Sequence, residues 1–138
     1  MSKIHLTITT PIKTVYSNEV DQLTLTTTSG EITVLPRHIP LISTLKTGHV
    51  IIKKDGEETL FAIDGGLLEV RKDSSVIVLS DRSEYAREID IERAEKAVEK
   101  AKKYLENPEG LELDYQQLKA LLAKEQNRTK LAKKGHRK

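Results

Sequence analysis

The chain has no cysteine and no tryptophan, and its single phenylalanine is Phe61. Without cysteine there can be no disulfide framework and no thiolate chemistry, and a reducing compartment is permitted. No apolar run approaches the ~18 residues that a membrane-spanning helix needs, so any membrane role is expected to be peripheral and to depend on a partner. Because aromatic residues make up only 4% of the chain, the core must be built from Ile, Leu and Val.

The charges are nearly balanced, with 23 Lys and Arg against 21 Asp and Glu in 138 residues. This length suits one domain of ordinary size or a small domain with an appendage. We expect no nucleic-acid partner, because the net charge is only +2 and the few unclustered aromatic residues offer no stacking platform. The positive excess is local, and it predicts a solvated, frayed tail. It consists of Lys124, Arg128, Lys130, Lys133, Lys134, Arg137 and Lys138.

Apolar and polar residues alternate from the start of the chain, which predicts a half-buried strand at residues 4–9 and no targeting leader. Similar short runs recur as far as Leu79. Asp55-Gly56 between two of them favours a tight hairpin, because both central positions accept positive φ. If Thr47-Gly48 and Gly65-Gly66 are also turns, about nine or ten short strands result. Such strands are typical of an antiparallel β-sandwich or a flattened barrel.

The hydrophobic period changes at Asp90, which is a good helix N-cap because its carboxylate can accept from unpaired N–H groups of the first turn. Apolar residues then step by three and four, as on one face of a helix, up to Asn107-Pro108-Glu109-Gly110, which should end it. Asp114 and Gln117 form a capping-box pattern for a second helix, whose apolar side gives way to polar residues such as Glu125. The two apolar seams are Ile91, Ala94, Val98, Ala101 and Leu105, then Tyr115, Leu118, Leu121 and Leu122.

These patterns predict an α+β chain in two parts. Residues 1–86 should form an N-terminal antiparallel β-sandwich of about ten strands. Residues 87–138 should form a C-terminal antiparallel α-helical hairpin with a basic tail, because a short connection folds two helices back on each other. Burying a Leu or Val contributes roughly 1.5–3 kcal/mol and an Ala less, while ordering each residue costs about 1–2 kcal/mol. An Ala- and Leu-lined hairpin is therefore marginal, leans on the β part, and is a plausible moving part.

Catalytic constellations are missing from the sequence. It contains no phosphate-binding loop, no dinucleotide fingerprint, no zinc-protease motif and no nucleophile elbow. The four histidines are scattered without metal-ligand spacing, so we predict no metal site. His5 and His49 fall on the polar phase of strands, where they read as ordinary surface residues. We predict no catalytic residue.

Three segments together resemble the epsilon subunit of bacterial F-type ATP synthases. They are Ser29-Gly30-Glu31-Ile32, Leu35-Pro36-Arg37-His38-Ile39-Pro40-Leu41 and Gly65-Gly66-Leu67-Leu68-Glu69-Val70. The order of a β part followed by a helical hairpin is similar to that family across nearly the whole chain. Two positions depart from the pattern, because Arg37 and Thr33 stand where the family usually has glycine.

The resemblance implies a non-catalytic subunit of the central stalk that couples rotation of the gamma subunit to the c-ring in proton-driven ATP synthesis. By that resemblance the β-sandwich grips gamma and sits on the c-ring, with the loop holding Glu31 and His38 facing the ring. The protein would then lie peripherally at the cytoplasmic side of the cell membrane. From the residues alone, Glu31 can also be read as a solvated turn residue.

The resemblance also implies that the hairpin is regulatory. When compact it packs on the sandwich, and when extended it inserts along gamma towards the catalytic alpha and beta subunits and blocks ATP hydrolysis. The basic residues of the second helix would suit acidic loops on those subunits.

Ile89-Asp90-x-x-Arg93-Ala94 resembles the family motif that binds ATP and holds the hairpin closed. Asp90 could accept from the adenine amino group or a ribose hydroxyl, while Arg93 and basic residues of the second helix meet the phosphates. Arg128 falls at a matching position. Lys124 and Lys100 replace arginines and lack the bidentate fork, and Glu84 matches an acidic position before the hinge.

Two alternatives stay open for these residues. Asp90 can be only an N-cap, with Arg93 as its ion-pair partner. The chain can also be a stand-alone ATP-sensing module whose hairpin closes on ATP. No cofactor is required in either case, and ATP is expected only as a regulatory ligand. Capture of gamma separates the stalk subunit from the stand-alone module.

Overall fold

The protein is described from a computed structural model that covers residues 2–107 and 113–136. The chain divides into two compact units, Met1–Tyr85 and Ala86–Lys138. In the described part, neither helix is long and apolar enough to cross a membrane.

Within the described residues 2–85, the first unit contains eight strands. Their hydrogen-bonded order is β2-β1-β7-β6-β5-β3-β4, with β8 pairing with β6. The β1–β7 pair is parallel and the other pairs are antiparallel, so the predicted antiparallel sheet has one exception. The strands are β1 (Ile4–Thr9), β2 (Thr14–Val20), β3 (Gln22–Thr27), β4 (Gly30–Val34), β5 (Leu41–Lys54), β6 (Glu57–Val70), β7 (Ser75–Leu79) and β8 (Ser83–Tyr85).

The strand count is eight and not about ten, because β5 and β6 are each 14 residues long. Gly48 and Gly65-Gly66, which were predicted as turns, lie inside these strands. Glycine within a strand often marks a bend or a close approach of another backbone. At Gly66, with φ +139°, a Cβ would overlap the carbonyl oxygen of Leu79. The predicted hairpin at Asp55-Gly56 is confirmed, with φ values of 51° and 82°.

The two long strands build both layers of the sandwich, because their halves pair with different neighbours. The first half of β6 pairs with β8 (Phe61↔Tyr85), whereas its second half pairs with β7 (Leu67↔Leu79). Strands that bend and switch sheets are a known way of making sandwich corners. Tyr16 of β2 packs edge-to-face on Phe61, with 5.7 Å between ring centroids. The outer strand of one layer therefore contacts the other layer across the core.

The core of the first unit is aliphatic, as the composition requires. Phe61 is its largest fully buried side chain. The other members come mainly from alternating positions of the strands and are Ile, Leu and Val. They are Ile4, Leu6, Ile8, Val20, Leu23, Leu25, Val34, Leu45, Val50, Ile52, Ile63, Leu68, Val70, Val76 and Val78.

The second unit begins with a short 3-10 turn, Ala86–Glu88, followed by helix α1 (Ile91–Glu106) and helix α2 (Tyr115–Gly135). The two predicted caps are confirmed. Asp90 Oδ1 accepts from the Arg93 backbone N–H at 3.1 Å. Asp114 and Gln117 form a reciprocal capping box. The predicted stop begins as expected, with α1 capped at Asn107, but residues 108–110 lie outside the described part.

Helix α2 is longer than the sequence predicted, and the basic run is helical as far as Gly135. The prediction of a frayed tail is therefore wrong for residues 124–135, and residues 137–138 lie outside the described part. The physical reason is tertiary, because Leu131 and Ala132 are buried. Tyr115, predicted on the apolar side, is 60% exposed. The hairpin seam is formed by Ala94, Val98 and Ala101 with Leu118, Leu131 and Ala132.

Candidate functional site

Glu31 is the second residue of β4, directly after Gly30, and its side chain contacts a histidine of β5. His49 Nε2 of β5 is 2.9 Å from Glu31 Oε2. The pair reaches across β3 over Thr26, where Gly48 leaves space, because a Cβ there would be 2.6 Å from Thr26 Oγ1. His49, predicted as an ordinary surface residue, has a side chain only 23% exposed. Glu31 is therefore an oriented carboxylate and not only a solvated turn residue.

His38 lies at the other end of β4, in the loop that leads to β5. Its Nδ1 is 2.7 Å from the carbonyl oxygen of Ile39, and its backbone N–H donates to the carbonyl of Leu35. Residues 31 and 35 are separated by about 13 Å of strand at ~3.3 Å per residue. The sequence-based placement of Glu31 and His38 on one loop was therefore wrong, because β4 lies between them.

Arg37, beside His38, adopts φ 69°. This left-handed conformation favours glycine, because a Cβ crowds the following carbonyl oxygen. The conformation accounts for the glycine that is usual in the resembling family at this position. Arg37 therefore adopts the same backbone conformation with some steric strain. Its backbone N–H donates to Ser74 Oγ at 3.4 Å.

An exposed apolar face was missed by the sequence reasoning. Ile42, Leu67 and Leu79 are 68%, 41% and 47% exposed, and Leu67 and Leu79 are paired neighbours on β6 and β7. A groove of about 520 Å³ lies beside them. The signal was the run of consecutive apolar residues at 77–79, which places apolar side chains on both faces of a strand. We call Ile42, Leu67 and Leu79 the outer apolar face; the groove is lined by Thr9, Thr10, Pro11, Gly66, Leu67, Leu79, Ser80 and Asp81.

Glu84 is the one predicted nucleotide-site residue that belongs to the first unit. It lies on β8, and its carboxylate is 3.7 Å from Arg82 Nε. Arg82 also pairs with Asp64 at 2.7 Å, and the Asp64 side chain is only 8% exposed. Glu84 is therefore part of a charged group on the sandwich edge, while the other six residues lie on the second unit.

Ile89 and Ala94 are buried, at 2% and 0% exposure, so their side chains support the hairpin. Asp90 is exposed and serves as N-cap, as one alternative predicted. The ion pair that the same alternative included is not formed: within residues 2–107 and 113–136, Asp90 contacts the Arg93 backbone N–H and no ion pair joins it to the Arg93 guanidinium. The Arg93 side chain is thus not committed to the cap, and a phosphate could use it.

The helix repeat separates two sides of the hairpin. One side is a groove of about 360 Å³, where Lys133 of α2 pairs with Glu95 of α1 at 3.5 Å. At 100° per residue, Arg93 and Lys100 on α1 lie on the opposite side. Lys124 and Arg128, one turn apart on α2, lie there too. We call Arg93, Lys100, Lys124 and Arg128 the basic side.

Arg128 has a partner that the sequence reasoning did not foresee. Arg128 Nη1 is 2.9 Å from Glu125 Oε2, and the two side chains are only 18% and 9% exposed. Glu125 was predicted as one of the polar residues that end the apolar side, but it is buried in the hairpin. The available signal was its position three residues before Arg128, which places the two side chains together on a helix.

Both units of the chain match models of known protein families. Residues 3–86 match the beta-sandwich domain of the ATP synthase delta/epsilon chain. Residues 87–133 match the long alpha-helix domain of the same chain.

Several relatives align over almost the full length of the chain. The ATP synthase epsilon chain of Halalkalibacterium halodurans is 37% identical over 132 residues, with 96% of this chain and 98% of the relative covered. That of Geobacter sulfurreducens is 38% identical over 136 residues, with 99% and 98% covered. A solved chain of the Euglena gracilis mitochondrial ATP synthase, from cryo-EM of OSCP, F1 and the c-ring in rotational state 1, has a TM-score of 0.78 and 25% identity. It covers 92% of this chain and 79% of that chain.

Proposed function

Since this chain belongs to the ATP synthase delta/epsilon chain family, as a non-catalytic epsilon subunit of the rotary enzyme, we propose that its two units divide the work. The first unit docks on the gamma subunit and the c-ring, and the second is a movable hairpin that inhibits ATP hydrolysis. The observation that carries the proposal is the family match, which spans residues 3–86 and 87–133.

The outer apolar face supports docking on gamma. A contiguous exposed apolar patch on a small domain usually marks a protein interface. Leu67 and Leu79 present adjacent side chains from neighbouring strands, and Ile42 extends the patch on β5. The groove beside them could receive a protruding side chain of the partner. Docking through this face would leave Glu31, on β4 of the other layer, available for a different partner.

Glu31 and His38 are the residues that we assign to the c-ring. The His49 contact orients the Glu31 carboxylate, and an oriented carboxylate offers a hydrogen-bond acceptor to a polar loop. Because β4 separates the two residues, Glu31 and His38 would contact different parts of the ring and its neighbours. The chain would in this way take part in proton-driven ATP synthesis as a peripheral component at the cytoplasmic side of the cell membrane.

The hairpin has the properties of a part that can open. Among the described residues, three of the six buried apolar residues of the seam are alanines, Ala94, Ala101 and Ala132, and each contributes little burial free energy. Much of the rest is polar, such as the Lys133–Glu95 pair, which is half exposed and worth at most about 1 kcal/mol. An opened hairpin could extend along gamma and contact acidic loops of the alpha and beta subunits with the basic side.

ATP is proposed as the ligand that keeps the hairpin closed. Asp90 is the N-cap of α1 and Arg93 lies in its first turn, whereas Lys124 and Arg128 lie on α2. A ligand that touches both helices therefore needs the closed form. Such a ligand stabilises that form by RT ln(1 + [L]/Kd), which is about 1.4 kcal/mol at a tenfold excess over Kd. That amount is comparable with the balance of a marginal hairpin. ATP is thus a regulator and not a required cofactor.

Docking on gamma is tested with Leu79→Glu in the full chain. A charge on the outer apolar face should reduce capture by purified gamma subunit at least tenfold, because the carboxylate would be desolvated without a partner. Thr33→Glu, exposed on β4, is the matched control and should bind as the native chain does. Equal binding by both variants would contradict the assignment of this face.

Inhibition is tested by removing the residues after Glu88. The assembled enzyme carrying the shortened chain should hydrolyse ATP faster than the enzyme with the full chain. Unchanged hydrolysis would contradict a regulatory hairpin. A stand-alone ATP sensor is distinguished in the same set, since it would bind ATP but neither bind gamma nor alter hydrolysis.

Nucleotide binding is tested by calorimetric titration of ATP into the isolated full chain. Arg93→Ala and Arg128→Ala should each weaken binding and favour the open hairpin, while Lys130→Ala, on the other side of α2, should leave binding unchanged. Absence of heat at millimolar ATP would rule out the native chain as an ATP sensor in that concentration range.

A further inference from the structure

We propose that Glu125 is a built-in competitor of the nucleotide for Arg128 and thereby sets the hairpin to a low ATP affinity. This inference rests on the proposed nucleotide site and concerns its regulation. Glu125 follows Leu118 and precedes Ala132 by seven residues each, so all three lie on the same face of α2. All three are buried, which places the Glu125 carboxylate in the seam.

The Glu125 carboxylate already pairs with the Arg128 guanidinium, which is the cation that a phosphate would need. Glu125 Oε2 and Arg128 Nη1 are 2.9 Å apart, a distance typical of a charge-assisted hydrogen bond. An arginine fork can serve two acceptors, but a second anion beside Glu125 meets like-charge repulsion in a poorly hydrated site. A phosphate must therefore either share Arg128 at this cost or displace Glu125.

Displacing Glu125 is also unfavourable. Its side chain is only 9% exposed, and moving a buried carboxylate away from a cation that it pairs with costs free energy. In the ligand-free hairpin the two charges are paired. Glu125 thus favours the ligand-free closed form and disfavours phosphate binding, which shifts the response towards high nucleotide concentrations.

The other cations of the basic side do not relieve this competition. Lys124 and Lys100 are point charges without a bidentate fork, so Arg128 and Arg93 are the two residues that can grip a phosphate in that way. Because Arg128 is paired with Glu125, Arg93 is the arginine of the basic side that is left to bind a phosphate. A site with one unengaged arginine would bind ATP more weakly than a site with two.

The test is calorimetric titration of MgATP into the full chain at fixed ionic strength. Glu125→Gln keeps the shape of the side chain and removes its charge, and it should bind at least tenfold more tightly, equivalent to about 1.4 kcal/mol. Glu95→Gln removes the same charge from the other side of the hairpin and should change affinity less than twofold. In an Arg128→Gln background, Glu125→Gln should gain less than threefold, because the competition acts through Arg128.

Glu125→Asp provides a second variant if Glu125→Gln does not fold, as judged by helical circular dichroism. It keeps the charge but shortens the reach to Arg128, and it should also bind MgATP more tightly than the native chain. If the native chain gives no heat at millimolar MgATP but Glu125→Gln does, the inference is supported.

Two results would overturn it while leaving nucleotide binding intact. One is native binding with equal or weaker binding by Glu125→Gln, which would make Glu125 a positioning residue for Arg128. The other is an equal gain with or without Arg128, which would indicate a general charge effect. If neither the native chain nor any Glu125 variant binds MgATP, both this inference and the proposed ATP response fail.

Discussion

His136 Nε2 lies 2.9 Å from the carbonyl oxygen of Ile89, so the end of α2 is bonded to the residue that precedes the N-cap of α1. The contact joins residues 47 positions apart in the sequence. It closes the hairpin at the end opposite to its connecting loop. The two helices are thus fastened at both ends, by the chain at one and by a histidine at the other.

Replacing His136 by Ala should loosen this end of the hairpin. A neutral hydrogen bond contributes about 0.5–1.5 kcal/mol, so amide hydrogens of the last turn of α2 should exchange several-fold faster. Hydrogen exchange measured by mass spectrometry on the full chain checks this. His5→Ala, on β1 of the first unit, is the control and should leave exchange in α2 unchanged.

Gly135 is the position where the hairpin tolerates no added side chain. A Cβ there would be 2.8 Å from Ala86 Cβ and 2.9 Å from the Ala86 carbonyl carbon. Alanine would gain about 1 kcal/mol in helix propensity, but overpacking typically costs 1–3 kcal/mol. We expect Gly135→Ala to lower the thermal stability of the second unit. Lys134→Ala, exposed in the same turn, should not, and equal midpoints for the two variants would contradict the close contact.

Arg37→Gly should stabilise the first unit, because the left-handed φ of 69° at this position is strained for arginine. Relief of that strain should raise the free energy of unfolding by about 1–2 kcal/mol. The greater freedom of glycine in the unfolded chain should offset up to about 1 kcal/mol of this gain. The urea midpoint should rise accordingly. Arg37→Ala keeps the strain and should show no rise; a rise in both variants would mean that the arginine side chain itself is unfavourable.

Stability should depend on pH through Lys3 and Asp21, which are 2.6 Å apart. The Lys3 side chain, and after it the Asp55 backbone N–H, hold the pKa of Asp21 below its usual 3.8. The same contact with Asp21, and then Asp55, raises the pKa of Lys3 above 10.5. Because the folded-state pKa of Asp21 is lowered, its stabilisation is complete above about pH 4 and is lost as the pH falls through that pKa.

For Lys3 the sign is opposite. Its folded-state pKa is raised, so its stabilisation is present below about pH 10 and is lost as the pH rises further. Between about pH 2.5 and about pH 7, the unfolding midpoint should fall less steeply with decreasing pH for Asp21→Asn than for the native chain. Asp81→Asn, at an exposed position, should follow the native curve. If the unfolding midpoints of all three chains fall equally steeply at low pH, the Lys3–Asp21 pair does not contribute to the pH dependence of stability.

The sequence predicted the helical unit largely correctly. Asp90 and Asp114 start the helices as caps, and Asp55-Gly56 turns the long hairpin, because each of these depends on residues three or fewer positions apart. The end of α2 was predicted wrongly. Polarity at residues 124–135 suggested a tail, whereas burial of Leu131 and Ala132 continues the helix. Local polarity could not reveal that contact.

The candidate sites show the same division. Arg93, Lys124 and Arg128 could be chosen from the sequence, and the helix repeat brings them to one side of the hairpin. The Glu125–Arg128 pair, the Glu31–His49 pair and the exposed Leu67 and Leu79 could not be assigned in advance. Each depends on which face of an element is covered, and a polar residue gives no local indication that it will be buried.

By itself the sequence determined the order of the elements, their caps, the tight turn at Asp55-Gly56 and the family, because each is encoded in residues close together along the chain. The tertiary structure alone decided that β5 and β6 run on through Gly48 and Gly65-Gly66 into both layers. It also decided which charges are paired and which leucines stay exposed. These outcomes follow from packing between residues far apart in the sequence, where the covering of one surface by another sets burial and pairing.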